Sequence, residues 1–201
     1  MWKIIMYPQL NSYFRLMENT ILSQRNSYME LGSLYFFTAT INGWSYLLEN
    51  DAYKNIIIDS LTFLHNKGKI SVYAFVIMPN HLHIIWQLLE MNGKEIPRAS
   101  FLKFTAHAFK QLLQNNNPKG LEKYSVVADN KKYEFWQRDS FAFKLINKDT
   151  AFQKLAYIHA NPLAKHWSLS KTQESYKYSS AKFYLTGENN FSFLSHIMDV
   201  F

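Results

Sequence analysis

The chain of 201 residues has no cysteine, only six glycines and five prolines, and fewer acidic than basic side chains. Without cysteine there is neither a disulfide nor a thiolate metal site, so any bound metal must be held by His, Asn, Gln, Asp or Glu. The scarcity of Gly and Pro and the lack of any low-complexity block exclude collagen-like and linker-like classes, and a hydrophobic content of 48% is enough for a packed core. No apolar run approaches the roughly 18 residues that a membrane-crossing helix needs. The first residues also lack the tripartite pattern of a signal peptide. The expectation is a cytoplasmic protein with no membrane partner. The length suits one domain with a full core.

What is abundant is positive charge and aromatic rings. The formal net charge is +7 and aromatics make up 17% of the chain, with a pI of about 9.4. Phosphate neutralisation and base stacking call for that combination, although many basic proteins bind no nucleic acid.

Residues 1–28 carry apolar side chains without a clean period, and the polar stretch at residues 23–27 separates them from the rest of the chain. They read as an extension to a single domain over residues 29–201. The aromatic and β-branched run at residues 34–41 predicts a strand that ends at Asn42-Gly43. Asp51 then caps a predicted helix over residues 52–66, closed by Gly68. A second helix is predicted over residues 99–115, with Phe101, Leu102, Thr105, Ala108, Phe109, Leu112 and Leu113 in its apolar stripe. Lys103, His107 and Lys110 fall on its other side, which is either a phosphate-binding face or a solvated one. After a polar loop come Phe135-Trp136-Gln137-Arg138 and a predicted strand over residues 141–146. The two rings, with Arg138, Lys131, Lys132 and Lys144 nearby, suit either base stacking with phosphate contact or a core edge with snorkelling cations.

The centre of the chain is SVYAFVIMPNHLHIIWQ, residues 71–87, an apolar run that turns at Met78-Pro79-Asn80. Alternation along a strand puts His81 and His83 on one side and Leu82, Ile84 and Trp86 on the other. Both faces are apolar before the turn, as in a central strand covered on both sides. Two neighbouring imidazoles on a rigid strand suit a divalent metal, or they simply decorate the strand.

A third helix begins at Asp149 or Thr150 and stops at Asn161, because Pro162 disfavours helical geometry before it. Projected at about 100° per residue, Ala151, Phe152, Leu155, Ile158 and His159 group on one side and Thr150, Lys154, Tyr157 and Asn161 on the other. Tyr157 and Asn161 lie one turn apart. A phenol can attack phosphorus and an amide oxygen can ligate a hard cation, although a tyrosine and an Asn-Pro helix stop are also ordinary features.

Taken together, PNHLHIIW, the downstream YIHANP and the later YKYSSAKFYL resemble the REP-associated tyrosine transposases of the single-tyrosine HUH transposase superfamily. The resemblance covers approximately residues 34–185 in the same order of segments. After the Asn-Pro, where several relatives have small residues and Gly, this chain has Leu163-Ala164-Lys165-His166-Trp167.

The resemblance implies an α+β, ferredoxin-like antiparallel sheet with helices packed on it, the HUH endonuclease core. It implies that His81, His83 and Asn161 hold Mg²⁺ or Mn²⁺ and that Tyr157 is the nucleophile in cleavage and rejoining of single-stranded or hairpin DNA through a 5′-phosphotyrosine. Lys103, Lys110, Lys131, Lys132 and Arg138 are the expected phosphate contacts, and the protein is expected to act as a monomer or homodimer. Two other readings predict different behaviour: a hairpin-binding protein that cuts nothing, and a metal-dependent phosphodiesterase that activates water and has no use for Tyr157.

Overall fold

The computed structural model describes residues 28–128, 132–138 and 140–201. The aromatic run forms β1 (Leu34–Thr40), followed by α1 (Asp51–Asn66), β2 (Ile70–Ile77), β3 (His81–Leu88), α2 (Pro97–Asn116), β4 (Phe141–Lys144), α3 (Lys148–Ala160) and the short α4 (Ala181–Thr186). The four strands make one antiparallel sheet in the order β2-β3-β1-β4. A βαββαβ chain with that order is the ferredoxin-like topology, so the fold is α+β with helices packed on an antiparallel sheet. No helix among the described residues is long and apolar enough to cross a membrane.

Two local readings need correction. The N-cap of α1 is Asn50, whose extended backbone lets its side chain accept from the Ala52 N–H at 2.9 Å. Asp51 is already helical and pairs with Lys54 at 2.9 Å. The second helix starts at Pro97, where the missing N–H of proline at the first helical position costs nothing.

The two faces of the sheet bury different things. Leu82, Ile84 and Trp86 of β3 pack with Phe37 of β1, Leu61 of α1 and Phe101 and Phe109 of α2. On the opposite face Phe36, Val76 and Ile85 pack with Ala151, Leu155 and Ile158 of α3. Phe135 and Trp136 belong to the first cluster, and Trp136 donates its indole N–H to Thr105 Oγ1 at 2.9 Å. They are core residues and leave no ring for a base.

Residues 178–180 lie along the β2 edge, where the Ile77 N–H donates to Tyr178 O at 2.9 Å and the Ser180 N–H to Phe75 O at 3.0 Å. That segment closes what would otherwise be an open strand edge. Of the expected N-terminal extension, residues 1–27 lie outside the described residues, and so does Lys131.

Candidate functional site

The alternation expected of β3 turns His81 and His83 toward the α3 side of the sheet, with ring centroids 4.8 Å apart. Both are buried, His81 at 8% and His83 at 5% exposure. Each has its Nδ1 tied down by a neighbour, one from the turn just before β3 and one from the paired strand β1. His81 Nδ1 is 2.7 Å from Asn80 Oδ1, an oxygen that only accepts, so Nδ1 carries the proton and Nε2 keeps its lone pair. The Asn80 amide N–H in turn donates to Trp44 O at 3.4 Å. His83 Nδ1 is 2.7 Å from the hydroxyl of Thr38, the residue directly opposite it on β1.

Burial favours the neutral ring in both cases. It pushes His81 down to about 4, with His166 adding to the effect. For His83 burial, then the His81 and Lys154 charges, hold the pKa well below the ordinary value. Neutral imidazoles with anchored Nδ1 atoms are the form in which histidine binds a metal.

The helix that faces them does so with the edge that the projection grouped with Tyr157 and Asn161, opposite Ala151, Phe152, Leu155, Ile158 and His159. Lys154 is buried at 7% and Asn161 at 9%, while Phe152 is exposed. The apolar stripe of Ala151, Leu155 and Ile158 sits on the sheet, and the adjoining edge carrying Lys154 and Tyr157 comes down over Phe36 and His83. Phe152 lies one turn after Lys148, whose ammonium stands over its ring at 5.9 Å. The Tyr157 ring meets the His83 ring at 5.2 Å between centroids, and its hydroxyl lies 3.5 Å from His83 Nε2. Asn161 caps the C-terminal end of α3, one turn beyond Tyr157. Partial negative charge at a helix C-terminus favours a cation there.

No group of three or more His, Asp or Glu able to hold a metal ion occurs among the described residues, so an ion at this point would need a donor of another kind beside the two imidazoles. The donor set fits a divalent transition ion such as Mn²⁺ better than Mg²⁺, which prefers an all-oxygen shell.

Sequence reasoning did not assign Lys154, Thr38, Asn80 or Trp167 to the site. Lys154 Nζ stands 4.9 Å from the Phe36 ring centroid, 5.8 Å from that of Phe143 and 6.0 Å from that of Tyr157, and burial lowers its pKa. The only hint was its place one turn before Tyr157. Trp167 packs its ring 5.8 Å from His81.

The expected phosphate contacts are not gathered here. α2, which carries Lys103 and Lys110, packs on the opposite face of the sheet. Lys103 pairs with Glu95 at 2.7 Å, and Lys110 and Lys132 both stand over the Tyr133 ring, at 5.5 and 5.6 Å. Arg138 pairs with Glu134 at 3.1 Å. Its segment rejoins β1 at Thr40 to Asn42, the end of the sheet where Thr40 faces His81.

No family model matches the chain, and no curated protein does either. Among solved structures the chain is similar to that of a REP-associated tyrosine transposase bound to a REP hairpin, at 18% sequence identity, over 87% of this chain and 93% of that one, with a TM-score of 0.56. The likeness is one of fold: the same kind of sheet, carried through nearly the whole length of both chains.

Proposed function

We propose that this protein cleaves and rejoins single-stranded DNA bearing a hairpin, with Tyr157 as nucleophile and a divalent ion held by His81, His83 and Asn161. The observation that carries this reading is the Tyr157 hydroxyl, 3.5 Å from His83 Nε2, above two buried neutral histidines. A nucleophile and a metal-binding face meet there on rigid elements. The structural neighbour was solved with a REP hairpin, which supports a folded single strand as the substrate.

A phenol, with an ordinary pKa of about 10, attacks phosphorus slowly at neutral pH unless nearby positive charge offsets the charge that develops. When bound, the ion would polarise the scissile phosphate. Lys154 adds a second positive charge beneath the tyrosine ring, 6.0 Å away. Asn80 holds the His81 imidazole in one tautomer, and Thr38 fixes the orientation of the His83 ring. In the step itself the Tyr157 oxygen bonds to phosphorus as the bond from phosphorus to the 3′ oxygen breaks, and a proton equivalent to the phenolic one ends on that oxygen. The products are a 5′-phosphotyrosine and a 3′-hydroxyl. The phosphodiester energy is retained, so a 3′-hydroxyl can reverse the step and join the strand elsewhere.

The test is to incubate the protein with end-labelled hairpin DNA and Mn²⁺ and resolve the products on a denaturing gel. A covalent protein–DNA adduct that disappears in Tyr157→Phe is the expected result. Cutting by the wild type with no adduct at any time would favour activated water. Binding with neither cutting nor adduct would favour the passive hairpin binder.

A further inference from the structure

Beside the histidines, two loops bring aromatic side chains to the surface. The first, between β1 and α1, carries Trp44 and Tyr46, which are 62% and 57% exposed. The second follows Asn161-Pro162 and is closed on itself: the Trp167 and Ser168 N–H groups donate to Ala164 O at 2.8 and 2.9 Å, and the Leu169 N–H to Pro162 O at 2.9 Å. It delivers Trp167 to a point where its ring lies 5.8 Å from His81 on one side and 5.8 Å from Tyr46 on the other. Tyr46, Trp167 and His81 thus form a continuous row of rings from solvent to the candidate site.

Two features set these loops apart. Tyr46 is exposed and forfeits apolar burial that core rings obtain, although it lies against the half-buried ring of Trp167. The described residues with positive φ that are not glycine are Trp44 (φ 54) and Ser168 (φ 47), one in each loop. Backbone held in that region costs on the order of 1 kcal/mol or more and concentrates where a ligand must be met. The strain is also coupled to the site, because Trp44 O accepts from the Asn80 amide that orients His81. Lys165 and His166 are exposed in the second loop, adding basic side chains beside the rings.

We propose that Tyr46 and Trp167 are a stacking platform for an unpaired base of the DNA strand, next to the phosphate presented to Tyr157. The proposal rests on the function argued above for the position of that phosphate. Every base has a π face, so the platform grips a single strand with little regard to sequence, and paired bases, stacked within a duplex, cannot use it. It therefore selects an unpaired segment at the point of cleavage and aligns the backbone over His81.

The test compares the full chain's affinity for a labelled short oligothymidylate with that for an abasic phosphodiester of the same length and charge, at fixed salt. The wild type should prefer the base-bearing strand by on the order of ten-fold. Trp167→Ala should lose most of that preference, Tyr46→Ala part of it, and Trp167→Phe should keep part. Lys103→Ala, on the opposite face, should leave the ratio unchanged. Should Trp167→Ala fail to fold by thermal melting, the exposed Tyr46→Ala still decides. Equal wild-type affinity for the two strands, or a full preference retained by folded Tyr46→Ala and Trp167→Phe, would overturn the platform. No cleavage is needed for this measurement. A wild type that prefers bases without ever forming the Tyr157 adduct would uphold the platform and remove the proposed chemistry, and an adduct without base preference would do the reverse.

Discussion

The two faces of the sheet share the same strands and differ in almost everything else. On the α1/α2 face, Phe37, Trp86, Phe101 and Phe109 are at or near zero exposure and meet ring to ring, with centroids of 5.2 Å for Phe37 and Trp86 and 5.8 Å for Trp86 and Phe101. On the α3 face, the apolar cluster gives way toward one end of β3 to His81, His83, Lys154, Tyr157 and Asn161, all buried or half-buried. Burying such groups costs free energy unless they are hydrogen-bonded or paired, whereas burying the rings opposite is favourable. One face of β3 is therefore wholly a packed core, and the other carries the candidate site. Removing a group from one should leave the other largely intact.

The largest effect tests that separation directly. Tyr157→Phe removes one oxygen and keeps the ring contacts with His83 and Phe36, so the melting temperature should change little while the covalent adduct on hairpin DNA disappears. An adduct that persists would assign the nucleophile to another residue.

The complementary substitution is Phe101→Ala, which opens a cavity under Trp86 and should cost about 3–5 kcal/mol in a denaturant titration. The folded fraction should still form adduct at the wild-type rate per molecule. A proportionate loss of chemistry would show that the two faces are not separable.

Acid should act strongly on the α3 face, where the buried histidines lie. His81, His83 and His159 are all held neutral by burial, His81 at about 4 and His159 at about 3. Above the ordinary value of 6.5 both the folded and unfolded states are neutral at these positions and nothing is lost. As the pH falls below 6.5 the unfolded chain takes up protons first, so stability drops, by roughly 3 kcal/mol from His81 alone by about pH 4. Metal-free protein should show this in its melting temperature between pH 7 and pH 4. His81→Asn should reduce the slope, and an unchanged slope would mean that His81 is solvated in the fold.

Smaller again is Thr38→Val, which leaves His83 Nδ1 without its partner. Loss of a hydrogen bond behind a metal-binding histidine lowers metal affinity or rate by about 10–100-fold, measurable as the Mn²⁺ concentration needed for half-maximal adduct. An identical Mn²⁺ requirement would remove Thr38 from the site.

The smallest effect belongs to the far side of the sheet. Lys103→Ala breaks an exposed ion pair worth less than about 1 kcal/mol. If Lys103 touches DNA phosphate, its loss should reduce the slope of log affinity against log salt by about one. A slope identical to wild type would leave Lys103 as a solubilising charge.

Local periodicity carried a good part of this protein. The alternation that sends His81 and His83 one way and Leu82, Ile84 and Trp86 the other follows from strand pleating alone, and the one-turn spacing of Tyr157 and Asn161 from helix geometry. Those rules operate over a few residues, so they could be read before any fold was known. They could not say which edge of α3 faces the sheet. Counting apolar residues on a wheel favoured Phe152 and set Lys154 aside, and packing against Phe36 and His83 reversed both.

Composition left Phe135 and Trp136 open between base stacking and a core edge, and offered Lys103, Lys110 and Arg138 as phosphate contacts. The rings are core, and α2 lies across the sheet from the histidines. Thr38 meets His83 because β1 and β3 are paired in one register, across 45 residues of chain. Trp167 reaches His81 only because the loop after Pro162 folds back on itself. Side-chain direction within an element is dictated by backbone sterics between near neighbours. Which elements then lie against one another is decided by long-range burial and strand pairing, which one stretch of sequence does not encode.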